Sequence, residues 1–514
     1  MAGKDKLVAS IDVGSNSIRM LIAEIGSKGN IKILEELKKS IDIGKDTYNT
    51  GKVSLETIKD TVKILKNFSK LIDEYNIKNY RAVTTSGIRE SKNKDYVLEQ
   101  IKSGTGLDVE IINNSQERLL TYKAIREYLP EASQMRKEGV IIIDIGSGGV
   151  EVTLYNEGYL CFTEYVKIGS QRLKETLSEI ESDTMDFPKV LEDYIESKSY
   201  LIKENLLKYN ITNFIGLGGE LSSIYKACKK SDEEKNMKKL SKDSLKEFYK
   251  EATNLSSDEL SEILGINEKQ SEMVVPTLAI SQKFIEMTKA KDMYVPRASL
   301  RHGILADMAD EAYDTQRKID FIEDIRHSIV DIAMKYRVDY QHVEHVKDMA
   351  LKIFDKTKKI HFLSERDRLL MEIASLLHDI GKYVNVNNYQ VYSFHIIKAL
   401  DIMGISDREM DIIAHVAKFH ADEGPEGSKS YEVLSYDNKI RISKMAAIVK
   451  LADALDLSHK NKIKSIDVKI KGSTLIIIAS SNEEIPLEKW YFHKISDFFE
   501  EVMGYKPILK QKGF

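Results

Sequence analysis

The sequence has only two cysteines, Cys161 and Cys228, among its 514 residues. So few thiols exclude a disulfide framework and a cysteine-based zinc site, and they favour a reducing compartment. No stretch approaches the roughly 20 apolar residues of a membrane span. The first residues, MAGKDKLVASIDVG, also lack the apolar core of a secretory signal. We therefore expect a cytoplasmic protein that contacts no membrane.

An excess of positive charge is also missing. The formal net charge is −4, and the chain has neither a basic domain nor the spacing of a zinc finger, so we expect no nucleic-acid partner. A polyanionic ligand would therefore have to be bound by backbone N–H groups, individual cations and metals. The length and the 42% hydrophobic content allow several hydrophobic cores.

Two stretches of the chain follow the same pattern. VASIDVGSNSIRM and VIIIDIGSGGVEV each consist of an apolar run that ends at an aspartate, Asp12 or Asp144, before a turn of small residues. Such a turn can point backbone N–H groups at an anion while the carboxylate reaches a metal or a water molecule. One copy is also typical of an ordinary hairpin. Two copies, each in its own α/β block, predict a cleft that binds a chain of phosphates.

The alternation of strands and helices predicts four domains. Residues 1–125 form a first α/β block, and residues 126–308 form a second block that opens with a three-strand meander over 139–169. From about residue 310 the pattern is helical, which gives a third domain over 309–462. The remainder, 463–514, reads as two strands, a helix and a final strand.

Three further stretches supply groups suited to phosphate chemistry. VTTSGIRES places Ser86 and Arg89 at a strand end, and GLGGE supplies Gly218 and Gly219 for close backbone approach. NNSQERLLTY places Glu117 in the first turn of a helix, where a catalytic carboxylate would be well held. Each has a structural alternative, because glycines also form turns without a ligand and the helix dipole favours an acid in a first turn.

Taken in order, IDVGSNSIRM, VTTSGIRES, NNSQERLLTY, IDIGSGGVE and GLGGE resemble the motifs of the exopolyphosphatase and guanosine pentaphosphate phosphohydrolase family. This family belongs to the superfamily of actin, sugar kinases and heat-shock ATPases. The resemblance is specific over about the first 305 residues and looser beyond them. It implies duplicated ribonuclease-H-like (actin-like ATPase) α/β domains, then an all-α HD-type domain and a small α+β C-terminal unit.

The resemblance also implies roles for individual residues. Glu117 corresponds to the general base of the family, and Asp144 and Glu151 correspond to its metal and water site, which would hold Mg²⁺ or Mn²⁺. The residues expected to bind phosphate are Asp12, Gly14, Ser15, Asn16, Ser17, Arg19, Ser86, Arg89, Gly146, Ser147, Gly148, Gly149, Gly218 and Gly219. Two departures affect these roles. The chain has DIGSGGVE where the family usually has DIGGGSTE, and Gln116 stands where the family often has an acid.

The helical region carries a second series of polar residues. An adjacent His and Asp at a helix end can reach one divalent cation, with a distant His and Asp completing the set. In order along the chain, the series is His342, the adjacent His378 and Asp379, and Asp453. It resembles the HD phosphohydrolase superfamily, which implies that these four residues are metal ligands. His345 is an alternative to His342, and His395 and His420 are candidates for a second ion. In the polyphosphatase family the same domain also occurs without these ligands, so substrate channelling or dimer formation is the alternative role.

The resemblance implies an exopolyphosphatase that hydrolyses the terminal phosphoanhydride of inorganic polyphosphate, with guanosine pentaphosphate as a second substrate. Phosphoryl transfer needs alignment and charge stabilisation more than a covalent nucleophile, so no attacking serine or cysteine is required. A second interpretation is a regulatory protein that binds polyphosphate or an alarmone, with hydrolysis confined to the HD-type domain. A sugar or acid kinase of the same superfamily is a third interpretation. A homodimer is usual for the long family members.

Overall fold

The structure is a computed structural model that describes residues 6–129, 132–181, 183–184, 186–228, 237–313, 315–421 and 428–512. The chain divides into two compact units, residues 1–325 and 326–514. Within the described residues, no helix is long and apolar enough to cross a membrane.

The N-terminal unit begins with a five-stranded sheet. Its strands are β1 (Lys6–Val13), β2 (Ser17–Ile25), β3 (Ile31–Ser40), β4 (Asn79–Thr84) and β5 (Val109–Ile111). They are ordered β3-β2-β1-β4-β5, with β1, β2 and β3 antiparallel and with β4 and β5 continuing parallel to β1. The accompanying helices are α1 (Ile43–Thr50), α2 (Leu55–Glu74), α3 (Ser86–Arg89), α4 (Lys94–Thr105) and α5 (Asn114–Tyr128). β1 is central and is buried on both faces from Val8 to Val13, as is usual for a strand covered by helices.

A second, six-stranded sheet follows in the same unit. Its strands are β6 (Val140–Ile145), β7 (Val150–Asn156), β8 (Tyr159–Val166), β9 (Asn213–Gly218), β10 (Met237–Ser241) and β11 (Asp292–Pro296). The helices of this block are α6 (Ala132–Glu138), α7 (Ser170–Glu181), α8 (Phe187–Leu206), α9 (Leu221–Cys228), α10 (Lys242–Ala252), α11 (Ser257–Leu264), α12 (Glu268–Ser271), α13 (Val274–Glu286) and α14 (Leu300–Tyr313). The order is β10-β11-β9-β6-β7-β8, so the predicted meander β6-β7-β8 is confirmed.

The two sheets repeat one topology. In each, an antiparallel meander of three strands is followed by two strands parallel to the first one, and the second sheet adds β10 as an antiparallel edge strand. Register also repeats, because Asp12 pairs with Arg19 across β1 and β2 and Asp144 pairs with Glu151 across β6 and β7. The prediction of two related α/β blocks is therefore confirmed, and the two aspartates occupy equivalent positions in them.

The chain returns to the first sheet after completing the second. α14 packs against α5, β1 and β2, in a core that includes Leu120, Ile304 and Leu305. Gly303 makes this approach possible, since a Cβ at that position would lie 1.8 Å from the backbone oxygen of Leu120. The first α/β block is thus assembled from two separate segments, whereas the sequence pattern describes it as one continuous segment.

The C-terminal unit is helical over most of its length. Its helices are α15 (Gln316–Lys335), which crosses from the first unit, α16 (Tyr340–Lys356), α17 (Lys358–His361), α18 (Glu365–Leu377), a 3₁₀ helix (Ile380–Tyr383), α19 (Tyr389–Ala399), α20 (Asp407–Phe419), α21 (Lys429–Glu432) and α22 (Tyr436–Ala454). The last elements are β12 (Ser465–Lys471), β13 (Thr474–Ser480), α23 (Pro486–Met503) and β14 (Lys506–Lys512). β13 is the middle strand, antiparallel to β12 and parallel to β14.

Candidate active site and metal centre

A cavity of about 620 Å³ in the N-terminal unit is lined by the turns that follow β1 and β6. The structure brings most of the predicted phosphate-binding and catalytic residues together there. Those that line the cavity are Asp12, Gly14, Ser15, Asn16, Ser17, Arg19, Ser86, Glu117, Asp144, Gly146, Ser147, Gly218 and Gly219. We call this cavity the cleft.

The two turns have the same hydrogen bond. Gly14 N–H donates to the carbonyl oxygen of Ser17 at 3.1 Å, and Gly146 N–H donates to that of Gly149 at 2.9 Å. Ser15 and Asn16 of the first turn and Ser147 of the second turn line the cleft. Successive backbone N–H groups of this kind form anion-binding concavities.

Hydroxyl groups cluster beside the first turn. The Tyr48 hydroxyl lies 2.9 Å from Ser15 Oγ and 2.9 Å from Ser86 Oγ. Arg19 Nε donates to Ser17 Oγ at 2.7 Å, which fixes its guanidinium at the cleft. Tyr48 was not predicted, because it lies in α1, a helix that the sequence pattern does not indicate.

Glu117 is held at the start of α5 by the helix cap. Asn113 and Gln116 form a reciprocal capping box. Gln116 therefore serves in the helix cap, and its presence in place of the family's acid removes no group from the cleft. Burial raises the pKa of Glu117 to about 7, while Arg89 opposes the shift and Asp144 and Asp12 add to it. A carboxyl group with this pKa is suited to exchange a proton at neutral pH.

Asp12 and Asp144 are the other carboxylates predicted for the cleft. Burial raises the pKa of each, and the nearby Arg19 guanidinium partly offsets that rise. Thr121 also donates to Asp144 Oδ2 at 2.9 Å, and this hydrogen bond further reduces the rise in the pKa of Asp144. Mg²⁺ prefers oxygen donors and is commonly bound by one or two carboxylates together with substrate phosphates. Asp12 and Asp144 both line the cleft, so they provide oxygen donors of the type that Mg²⁺ prefers.

Glu151 lies elsewhere. Its carboxylate forms an ion pair with Arg118 Nε at 2.9 Å, both side chains are buried, and Glu151 is absent from the cleft lining. Because an arginine already neutralises this carboxylate, the geometry differs from the expectation that Glu151 binds a metal with Asp144. Side chains alternate between the two faces of β7. The partner of Glu151, Arg118, lies on α5, so the sequence of β7 alone does not reveal the ion pair.

Three other predicted residues do not line the cleft. Arg89 lies behind Glu117, with Nη1 3.3 Å from its carboxylate and 2.7 Å from the backbone oxygen of Ile112. A Cβ on Gly148 would lie 2.5 Å from the Tyr48 hydroxyl, and one on Gly149 would lie 2.4 Å from the Tyr165 ring. These two glycines therefore admit neighbouring side chains.

Lysines that the sequence did not single out also line the cleft. They are Lys38, Lys45, Lys174 and Lys269. Lys174 pairs with Glu272, and Lys269 pairs with Asp42 at 2.5 Å. Burial and the charge of Arg19 lower the pKa of Lys38. No local motif could have identified them, because each is one charge within a charged segment.

A second cluster lies in the C-terminal unit. His342 Nε2 is 3.2 Å from Asp453 Oδ1, and His378 Nε2 is 3.6 Å from the same oxygen and 3.7 Å from Asp379 Oδ1. Three of these atoms, His342 Nε2, His378 Nε2 and Asp379 Oδ1, are buried without a hydrogen-bond partner. The ligand atoms of this cluster lie close to one another. A metal site requires several ligand atoms in such an arrangement.

The opposite ring nitrogens of both histidines are fixed. His342 Nδ1 donates to Asp456 at 2.9 Å, and His378 Nδ1 donates to the carbonyl oxygen of Ser375 at 2.7 Å. Metal-ligating histidines are almost always oriented in this way. Although burial opposes it, the neighbouring carboxylates of Asp453 and Asp456 raise the pKa of His342 to about 9, so the surrounding charge favours a cation.

The remaining histidines divide into those near the cluster and those away from it. His420 joins His378 and Asp379, and burial lowers the pKa of His420 to about 4. His395 is exposed on α19 and packs against Phe394, outside the groups of potential ligands found among the described residues. The structure therefore does not bring His395 to a second metal position.

The structure differs from the sequence-based prediction at His345 and His459. His345, the predicted alternative to His342, also lies outside those groups in the described part of the chain. His459, which sequence reasoning missed, joins His342 and Asp379. It lies in the turn after α22, where no helical spacing marks it.

The chain resembles known proteins along most of its length. The family model described as "Ppx/GppA phosphatase family" matches residues 21–312, and the model described as "Ppx/GppA phosphatase, domain III" matches residues 325–490. A "Guanosine-5'-triphosphate,3'-diphosphate pyrophosphatase" of Vibrio parahaemolyticus is 23% identical over 431 residues, which cover 82% of each chain. A "Bifunctional 3-dehydroquinate synthase/phosphatase" of Fusobacterium nucleatum is 29% identical over 299 residues, 54% of this chain and 43% of that protein.

A solved structure shares the fold. The crystal structure of an exopolyphosphatase from Cytophaga hutchinsonii is 23% identical, has a TM-score of 0.54, and covers 60% of this chain and 98% of its own. The resemblance drawn from the motifs is thus confirmed at the level of the family. Because the first family model alone spans more than half of the residues and the motifs of both turns meet in one cleft, the chain belongs to the Ppx/GppA phosphatase family.

Proposed function

We propose that the cleft hydrolyses the terminal phosphoanhydride of inorganic polyphosphate and releases orthophosphate, with guanosine pentaphosphate as a second substrate that loses its 5′ γ-phosphate. The observation that carries this proposal is the convergence of the Glu117 carboxyl group, Asp12, Asp144 and the turns after β1 and β6 on one cleft. Two of the four lysines in the lining, Lys174 and Lys269, are paired with Glu272 and Asp42, so Lys38 and Lys45 are the cations proposed to contact further phosphates of a chain.

In this mechanism the turns hold the end of the chain. Backbone N–H groups after Gly14 and Gly146, the hydroxyl of Ser15 and the guanidinium of Arg19 contact the terminal phosphate oxygens. Asp12 and Asp144 would hold Mg²⁺ or Mn²⁺. When bound, the ion supplies positive charge that offsets the charge of the phosphates.

Glu117 then accepts a proton from a water molecule while the oxygen of that water attacks the terminal phosphorus. The bond from that phosphorus to the bridging oxygen breaks, which releases orthophosphate and a chain shortened by one phosphate. Arg89 stabilises the ionised form of Glu117 before the step. Positioned proton transfer of this kind contributes about 10² to 10⁴ in rate.

The test is phosphate release by the full chain from long-chain polyphosphate, guanosine pentaphosphate and ATP, each with Mg²⁺ and with Mn²⁺. We expect release from polyphosphate and from guanosine pentaphosphate, and no release from the latter would overturn its role as a second substrate. Binding of polyphosphate without release from any substrate would favour a regulatory protein instead.

We also propose that the C-terminal unit is an HD-type domain that binds a divalent metal. The unpartnered nitrogens of His342 and His378 and the unpartnered oxygen of Asp379 support this assignment. Together with Asp453 they would hold the ion, which would supply a Lewis acid for phosphoester hydrolysis. The test is the metal content of the full chain after loading, compared with that of His378→Ala and Asp379→Ala; equal metal in all three would refute it.

A further inference from the structure

The start of α7 holds the carbonyl groups of the second turn. Ser170 N–H donates to the oxygen of Gly146 at 3.1 Å, and Arg172 N–H donates to that of Ser147 at 3.0 Å. The side chain of Arg172 adds a third bond, from Nε to the oxygen of Gly148 at 2.5 Å. The C=O and the following N–H of a planar trans peptide point in opposite directions, so these three bonds also fix the directions of the N–H groups in the turn.

The Arg172 guanidinium also reaches the first α/β block. Its Cζ lies 4.4 Å from the centroid of the Tyr48 ring, and its Nη2 donates to the Glu90 carboxylate at 2.6 Å. Arginine is suited to this position because a planar guanidinium can lie over an aromatic ring while its N–H groups form several hydrogen bonds. Arg172 therefore connects the second turn to Tyr48 in α1 and to Glu90, which directly follows α3.

Tyr48 continues the connection to the first turn. Its hydroxyl lies 2.9 Å from Ser15 Oγ and 2.9 Å from Ser86 Oγ, and both serines line the cleft. The second turn packs closely against this group of hydroxyls, since a Cβ on Gly148 would lie 2.5 Å from the Tyr48 hydroxyl and 2.6 Å from Ser86 Oγ. A continuous series of contacts thus runs from the carbonyls of the second turn through Arg172 and Tyr48 to the hydroxyl of the first.

We propose that Arg172 and Tyr48 are positioning residues that join the two turns, so that both turns contact the end of one phosphate chain together. The inference rests on the proposed function of the cleft and adds two residues that lie outside its sequence motifs. Neither residue lines the cleft, so each acts through the groups that it holds. Turns that are already fixed lose less conformational entropy when they bind an anion, which strengthens binding.

The experiment measures the affinity of the full chain for inorganic tripolyphosphate. All variants carry Glu117→Gln, which removes turnover, and the Glu117→Gln chain is the reference. Arg172→Lys keeps the positive charge but replaces the planar fork with a single ammonium group. Tyr48→Phe keeps the ring beside Arg172 and removes only the hydroxyl between the two serines. The double variant tests whether the two residues form one connection.

The matched control is Arg136→Lys. Arg136 has the same kinds of partner as Arg172: it donates to the oxygen of Gly158 at 2.8 Å and to Asp324 at 2.6 Å, and its Cζ lies 4.5 Å from the centroid of the Tyr155 ring. Tyr155 pairs with Val140 at the start of β6, the end opposite the second turn. This control therefore removes an equivalent set of contacts without touching either turn.

We expect Arg172→Lys and Tyr48→Phe each to lower the affinity at least about tenfold, and the double variant to lose little more than the larger single loss, because both break one connection. Arg136→Lys should keep the reference affinity even where its thermal midpoint falls. With Glu117 intact, Tyr48→Phe should raise KM for polyphosphate by a similar factor while kcat changes little.

Several outcomes would overturn the inference while the proposed function stands. They are an unchanged affinity in Arg172→Lys or Tyr48→Phe, losses that add in the double variant, an equal loss in Arg136→Lys, and a fall in kcat without a rise in KM. If the Glu117→Gln chain itself does not bind tripolyphosphate, the proposed function of the cleft is wrong.

Discussion

The Arg89 guanidinium lies 3.3 Å from the carboxylate of Glu117, and this ion pair opposes the rise in the pKa of Glu117 that burial causes. Arg89 is itself held by the backbone oxygen of Ile112 and the side chain of Asn114. Burial alone would favour the neutral acid, and the arginine restores part of the ionised form. The pair thus keeps Glu117 able to titrate near neutral pH.

The first prediction concerns the pH dependence of hydrolysis. Since Glu117 must be ionised to accept a proton, kcat/KM for polyphosphate should fall tenfold per pH unit below about pH 7. In Arg89→Gln the loss of positive charge raises the pKa of Glu117 further, so this fall should begin at a higher pH. Initial rates from pH 5 to 9 check both statements. Unchanged profiles in Arg89→Gln would contradict the coupling.

The second prediction concerns the base itself. Glu117→Gln keeps the shape of the side chain but removes the proton acceptor, so kcat should fall by about 10² to 10⁴ while polyphosphate still binds. Single-turnover phosphate release and a binding titration measure the two properties separately. Glu110→Gln, on the exposed edge of β5, is the matched control and should match the wild type. Turnover at the wild-type rate in Glu117→Gln would remove Glu117 from the role.

The third prediction concerns the glycine motif at the end of β9. Gly218 has φ +74°, and a Cβ there would lie 2.3 Å from the backbone oxygen of Ile145 and 2.6 Å from Asp144 Oδ1. Gly106 has the same φ but has no atom within 4 Å of such a Cβ, so Gly106→Ala shows the backbone penalty alone, about 1 kcal/mol. Gly218→Ala should lower the thermal midpoint more than Gly106→Ala and should also reduce hydrolysis. Equal effects of the two variants would show that the contact with β6 is unimportant.

Local patterns predicted much of this architecture because the relevant contacts are close in sequence. The apolar runs before Asp12 and Asp144 specify buried strands, and the short turns after them fix the hairpin register. The pairing of Arg118 with Glu151 and the return of α14 to the first sheet depend instead on distant segments. His459 escaped notice for the same reason, since its partners Asp339 and His342 lie more than 100 residues earlier in the chain.

The last prediction separates two roles for Glu151. If Glu151 mainly neutralises Arg118, then Glu151→Gln removes the carboxylate that pairs with a buried guanidinium and should destabilise the unit by about 3 to 5 kcal/mol. That loss should appear in thermal unfolding with Mg²⁺ and with chelator alike, because no metal is involved. Replacing both partners, as Arg118→Met with Glu151→Leu, should recover much of the stability, since neither charge then remains buried. A Glu151→Gln protein that unfolds like the wild type in chelator, but loses a Mg²⁺-dependent stabilisation, would instead make Glu151 a metal ligand.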